Sequence, residues 1–132
     1  MPTMIGTKGA ELDLLIRQGA TFGPVTCHLT NPDTSPVNLT GCTVRAQIRK
    51  SATSTLTPGA TGVCTVTGAA TGDFTYTFSA TVTGALVADS ESELATASQY
   101  VWDMELEDAS GRVTPLTYGR VYVYREVTKA EA

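Results

Sequence analysis

The segment from Tyr100 to Glu107 alternates strictly between large apolar side chains and mostly acidic ones. Its even positions are Tyr100, Trp102, Met104 and Leu106, and its odd positions are Val101, Asp103, Glu105 and Glu107. Successive side chains leave opposite faces of a β-strand, so this pattern predicts a half-buried antiparallel strand. Asp108–Gly111 then supplies residues that favour a turn. The segment therefore restricts the chain to folds that contain a sheet buried on one face.

A period of two recurs along most of the chain, which is rich in threonine and contains 12 glycines. The other predicted strands are Glu11–Arg17, Pro24–Thr30, Cys42–Lys50, Val63–Thr67, Asp73–Ser79, Val113–Thr117 and Arg120–Glu126. In Asp73–Ser79, three aromatic rings share one face, where we expect them in the core: Phe74, Tyr76 and Phe78. A short helical turn is predicted at Ala85–Ala88. About eight strands at this spacing predict an all-β fold, an antiparallel sandwich.

At 132 residues the chain has the length of a single domain. We expect the sandwich to span residues 11–128. Residues 1–10 contain Pro2, Gly6 and Gly9 and show no periodicity, which predicts an extended N-terminal arm that becomes ordered on assembly. Residues 129–132 are predicted to form a short charged tail.

The formal net charge of −4 argues against a phosphate-binding surface, so we do not expect a nucleic-acid partner. No apolar stretch approaches the roughly 20 residues of a membrane span. The N-terminus also lacks the charged and apolar regions of a signal peptide. We therefore expect a protein that is made in the cytoplasm, stays soluble and has no membrane partner.

The residue types that usually carry chemistry are sparse. His28 is the only histidine, and its neighbour Cys27 would face the opposite side of a strand, so an exposed strand residue is favoured over a catalytic or metal-binding one. Cys27, Cys42 and Cys64 are too scattered for a zinc site or a disulfide scaffold, and reduced thiols are favoured over a bridge. We expect no catalytic residue, cofactor, metal or small-molecule ligand.

Two rows of opposite charge lie on the outward faces of predicted strands. Asp103, Glu105 and Glu107 form the acidic row, and Arg45 with Arg49 the basic one. If the two strands are neighbours, these charges would pair across the sheet and disfavour the wrong register. The alternatives are a calcium site, with Asp108 as a further ligand, and a solvated face without pairing.

Tyrosines dominate the last strand. If Val121 and Val123 face the core, Tyr122 and Tyr124 face outwards. Outward tyrosines predict a contact surface, which Tyr118 would extend; the alternative is a strand buried on both sides. In the arm, Met4 and Ile5 are the apolar residues that we expect at the same kind of protein contact.

Five segments follow one another between about Leu14 and Thr128: "LLIRQGATF", "VNLTGCTVRAQIRK", a Thr/Gly-rich hairpin, a short Ala/Leu turn and "YVWDMELEDASGRVTPLTYGRVYVYREVT". Together they resemble a widespread module of tailed-phage proteins. That module is found alone as a small virion protein and as the N-terminal domain of upper baseplate and tail-fibre proteins. The acidic segment Asp89–Ala97 and the N-terminal arm depart from its pattern.

The resemblance implies an immunoglobulin-like β-sandwich that attaches to other virion proteins and has no chemistry of its own. The expected function is that of a non-enzymatic virion structural protein at the tail, baseplate or fibre attachment, present in several copies that also contact one another. Its expected location is the virion, assembled in the host cytoplasm. The alternatives are a capsid decoration protein and a carbohydrate-binding module that uses Tyr122 and Tyr124.

Overall fold

The computed structural model describes residues 9–50, 60–86 and 98–126, which form two packed β-sheets. The larger sheet contains β1 (Ala10–Glu11), β2 (Leu14–Arg17), β4 (Thr43–Arg49), β5 (Ala60–Thr61), β8 (Ser98–Glu107) and β9 (Val113–Tyr124). The smaller sheet contains β3 (Phe22–His28), β6 (Val63–Gly68) and β7 (Asp73–Phe78). The prediction of an all-β sandwich is confirmed.

The strand order agrees with the immunoglobulin-like arrangement. The larger sheet runs β1-β9-β8-β4-β5, with β2 also on β9, and the smaller sheet runs β3-β7-β6. Strands β9, β8 and β4 correspond to strands G, F and C of an immunoglobulin-like sandwich, and strands β3, β7 and β6 correspond to its strands B, E and D. The sheets are not wholly antiparallel, however, because β1 and β2 run parallel to β9. Parallel pairing is possible there because most of the chain lies between these strands and allows the crossover.

The core lies between the sheets and is centred on aromatic rings. Phe74, Tyr76 and Phe78 are all buried, as their spacing on β7 predicted. The ring of Trp102, from the larger sheet, lies 5.6 Å from that of Tyr76 and 6.5 Å from that of Phe78. Since aromatic pairs at these separations contribute about 0.5–1.5 kcal/mol beyond their buried area, these ring contacts between β7 and β8 help to hold the two sheets together.

The helix lies earlier in the chain than the sequence predicted. It spans Ala80–Gly84, directly after β7, whereas the prediction was Ala85–Ala88. Ser79 caps it, because the Ser79 Oγ accepts a hydrogen bond from the Val82 N–H at 3.4 Å. The prediction followed apolar residues and overlooked this cap. Val87 and Ala88 lie outside the described residues.

The first predicted strand, Glu11–Arg17, is two short strands. Between them, the Leu12 N–H donates to the Tyr118 carbonyl at 2.8 Å, and an Asp13 carboxylate oxygen accepts the Arg120 N–H at 2.9 Å. Alternation along Glu11–Arg17 places Leu12 on the same face as the buried Leu14, yet the Leu12 side chain is 47% exposed. In contrast, the two predicted strands Val113–Thr117 and Arg120–Glu126 are one strand, β9. The sequence predicted an interruption between two strands at Gly119. The strand is continuous there, and the interruption lies instead at Leu12, in the segment that pairs with β9.

Candidate functional site: the outer face of the larger sheet

The face of the larger sheet that points away from the core carries the predicted charge rows. Strands β4 and β8 are direct neighbours, and Arg45 lies opposite Glu105. The Arg45 Nε donates to the Glu105 Oε1 at 2.7 Å, and its Nη2 lies 3.3 Å from the Glu107 Oε1. These carboxylates, Glu105 first, raise the pKa of Arg45. The sheet thus brings one arginine of the basic row between two members of the acidic row.

Arg49 is the second arginine of the basic row on β4. It lies opposite Val101, and its Nη2 donates to the Gln47 Oε1 at 3.2 Å. Asp103 lies opposite Gln47. Burial, followed by the nearby Glu105 charge, raises the pKa of Asp103, and the two arginines offset this only in part. The net effect of these contributions is to favour the neutral form of the Asp103 carboxyl.

Asp108 would be a fourth ligand of the alternative calcium site, but its carboxylate already accepts hydrogen bonds within its own turn. Its Oδ1 accepts the Ser110 and Arg112 N–H groups, both at 2.9 Å. The hydrogen bond from the Ser110 hydroxyl, followed by these backbone contacts, lowers the pKa of Asp108. Within residues 9–50, 60–86 and 98–126, no group of three or more histidines, cysteines, aspartates or glutamates is placed to hold a metal ion.

The tyrosines of β9 lie half-buried on the same outer face. Tyr122 lies between Leu15 on β2 and Gln99 on β8. The Leu15 side chain is 63% exposed. We call Leu15, Tyr118, Tyr122 and Tyr124 the tyrosine surface. At one end of this surface, Tyr118 lies opposite Asp103 of the acidic row.

Leu15 is the member of this surface that sequence reasoning missed. It stands at an outward position of its strand, between the buried Leu14 and Ile16. A large apolar residue at a position that alternation assigns to solvent was the available signal. Met4 and Ile5, the predicted contact residues of the arm, lie outside the described residues. Ala10, assigned to the arm, pairs with Thr117 as part of β1.

A hollow of about 420 Å³ opens on the outer face beside Tyr118. Its lining combines polar and apolar residues: Gln47, Arg49, Val101, Trp102, Asp103, Glu105, Tyr118 and Gly119. Hydrogen-bonding groups beside an aromatic ring are the combination that binds polar ligands with an apolar face.

His28 has a partner that the sequence did not reveal. Its Nδ1 lies 2.8 Å from the Asp73 Oδ1, across the pairing of β3 and β7. The Thr71 hydroxyl donates to the other oxygen of Asp73 at 2.6 Å, and both contacts lower the pKa of Asp73. The carboxylate thus lies between hydroxyl and imidazole. Because the carboxylate separates the two groups, His28 is not placed to take a proton directly from the Thr71 hydroxyl.

The three cysteines are free and half-buried. Burial raises the pKa of Cys27, and it raises that of Cys64 to about 11, with a further contribution from Cys27. A thiol with such a pKa is almost entirely protonated at neutral pH and is a poor nucleophile.

The sequence matches no known family model and no curated protein. In the part of the chain that the structure describes, no helix has the length and apolar character needed to cross a membrane.

Proposed function

We propose that this chain is a non-enzymatic structural protein of a bacteriophage particle that docks to other virion proteins at the tail, baseplate or fibre attachment. The order of the sequence segments supports the choice of a virion module, and the immunoglobulin-like strand order is compatible with it. Because a fold hosts many functions, the docking role rests on one observation, the tyrosine surface.

The tyrosine surface has the composition of an interface centre. Tyr122 and Leu15 are neighbours across β9 and β2, and Leu15 is 63% exposed in the isolated chain. Tyrosine is among the residues that contribute most to binding free energy, because its large ring is buried at low entropic cost. Tyr118, at one end of this area, lies opposite the charged Asp103 on β8, and polar groups commonly border the apolar centre of an interface in this way.

Incorporation into phage particles tests the proposal. The wild-type chain and Tyr122→Ala would each be supplied during phage growth, and their copies per purified particle counted by quantitative mass spectrometry. We expect Tyr122→Ala to fold normally and to lower incorporation at least tenfold, since losing an interface anchor costs about 2 kcal/mol or more. Val113→Ala, which removes an exposed apolar side chain from the same strand outside the tyrosine surface, is the matched control.

Separating tails from capsids before counting decides where the chain is located. Recovery in the tail fraction supports the proposal, and recovery in the capsid fraction supports a decoration protein instead. A chain missing from purified particles would contradict any virion role. Equal incorporation of Tyr122→Ala and Val113→Ala would exclude the tyrosine surface as the docking site.

A carbohydrate-binding module is the second candidate, and the hollow beside Tyr118 favours it. Asp103 and Gln47, on its lining, offer hydrogen bonds to sugar hydroxyls, and the Tyr118 ring offers a stacking face. A glycan array would give hits that Tyr118→Ala removes and Val113→Ala preserves. An array without hits would dismiss this candidate.

A further inference from the structure

Each edge of a β-sheet presents unpaired backbone groups to which another strand can bind, and proteins usually obstruct such edges. The smaller sheet has β3 at one edge and β6 at the other. On β3, Pro24 has no N–H to donate, and the pairing with β7 shifts register between Phe22 and Val25. This edge is obstructed.

The edges of the larger sheet are obstructed by other means. β5 pairs over only two residues, Ala60 and Thr61. At the opposite edge, β1 and β2 are separated at Leu12 and Asp13, whose backbone and side chain bond to β9. A short strand or an interrupted one offers little length for pairing with another chain.

Strand β6 shares only one of these features, a register shift at its end. It spans Val63–Gly68 without proline or charged side chains. Among the described strands it pairs only with β7, and the single register shift lies at its end, between Val66 and Gly68. Val63 is 64% exposed. A neutral, β-branched edge strand of this kind is a template for strand addition.

We propose that β6 pairs antiparallel with β6 of a second copy of this chain, so that the two small sheets become one continuous sheet. The two-fold axis passes beside Thr65, which then faces Thr65 of the second copy. Val63 faces the second Thr67 on the outer side, and Cys64 faces the second Val66 on the core side. This pairing is independent of a virion role.

The sequence of β6 favours a second copy over an unrelated strand. A two-fold pairing places each side chain against one from the same short segment, so any charge near the axis would meet its own sign. Val63–Thr67 carries no charge and consists of four β-branched residues and Cys64. Cys64 and Val66, which face the core, are only half-buried in one copy, and the second copy would cover them.

Sedimentation across a concentration series tests this pairing. The wild-type chain is expected to reach twice its 13.8 kDa mass. Thr65→Lys would place two like charges at the axis and is expected to leave a monomer with an unchanged circular dichroism spectrum. Thr26→Lys is the matched control, because Thr26 and Thr65 lie on opposite sides of Thr75 in the same row, at the two edges of the sheet. It is expected to leave the dimer intact.

Mixing variants tests the register. Thr65→Lys and Thr65→Glu are each expected to be monomeric alone and to dimerise when mixed, because the opposite charges then face each other. If a position-65 variant does not fold, Val63→Lys provides a second exposed site on the same strand. A wild-type chain that stays monomeric at all concentrations, or a dimer that resists Thr65→Lys, would overturn the proposal. Dissociation by Thr26→Lys alone would also overturn it, by assigning the contact to β3.

Discussion

Gly119 and Leu12 are in such close contact that a β-carbon on Gly119 would collide with the Leu12 carbonyl oxygen. The Trp102 Nε1 donates a hydrogen bond to the same oxygen at 2.8 Å. Trp102 and Gly119 are opposite each other on β8 and β9. Because Gly119 has no side chain, the Leu12 backbone fits against it at the edge of the larger sheet. The indole of Trp102 holds that backbone in place.

Replacing Gly119 with alanine is therefore expected to displace Leu12 and break its bond with Trp102. We expect a loss of about 2–3 kcal/mol in the free energy of unfolding, measured by urea titration, which is typical of a substitution that forces apart packed backbone. Gly84→Ala is the control, because the nearest atom to its new β-carbon would be 3.7 Å away. Equal urea midpoints for the two variants would show that Leu12 moves away without cost.

The Arg45 ion pairs predict a salt-dependent contribution to stability. Arg45→Glu would place a third negative charge between Glu105 and Glu107, so the urea midpoint is expected to fall. Because the charges are partly exposed, the loss should shrink as salt screens them. The double variant Arg45→Glu with Glu105→Arg restores the opposite charges and should recover most of the loss. An unchanged midpoint for Arg45→Glu would exclude a stabilising role for the pairing.

Asp108 predicts a loss of stability in acid. Its pKa is lowered by the hydrogen bonds of its turn, Ser110 first, so the folded state favours the ionised carboxylate. The stability it contributes is full above the unfolded pKa of about 4 and is lost as the pH falls through the lower folded pKa. Asp108→Asn should be less stable than the wild type at pH 7, and the gap should close in acid. A gap that is independent of pH would contradict this account.

The raised pKa of Asp103 predicts the opposite dependence of stability on pH. Burial and Glu105 raise its pKa, so ionisation weakens the folded state as the pH rises from about 4 through the raised value. Asp103→Asn should therefore be more stable than the wild type at pH 7 and equal to it in strong acid. Thermal unfolding measured at several pH values would detect the difference. A variant less stable than the wild type at pH 7 would mean that Arg49 and Arg45 outweigh the cost of burial.

The sequence predicted the strands whose two faces differ strongly in polarity. β4 and β8 have the inward residues that alternation assigned, because a one-residue slip would bury Arg45 or Glu105. Their adjacency was inferred from charge, and Arg45 lies opposite Glu105. The local pattern was therefore sufficient for strands in which it indicated both the buried face and the neighbouring strand.

The sequence did not predict features that depend on distant residues. Leu12 lies outside the core because Trp102 and Tyr118, about 90 and 106 residues away along the chain, take its backbone groups. The hydrogen bond between His28 and Asp73 depends on the pairing of β3 with β7. The predicted contact surface lacked Leu15 for the same reason, because Leu15 becomes a neighbour of Tyr122 only when β2 pairs with β9. The contacts of Leu12 and His28 leave no periodic signal in the sequence, whereas Leu15 was detectable as a large apolar residue at an outward position of its strand.

The raised pKa of Cys64, about 11, predicts slow thiol chemistry in the folded chain. An ordinary cysteine has a pKa near 8.5, so at pH 8 the Cys64 thiolate fraction should be lower by about two orders of magnitude. Alkylation of Cys64 by iodoacetamide, followed by mass spectrometry, should accelerate by roughly that factor in urea. In the folded chain, the rate should rise about tenfold per pH unit up to pH 10. This dependence separates a protonated thiol from one that is only shielded, for which the rate would level off near pH 9.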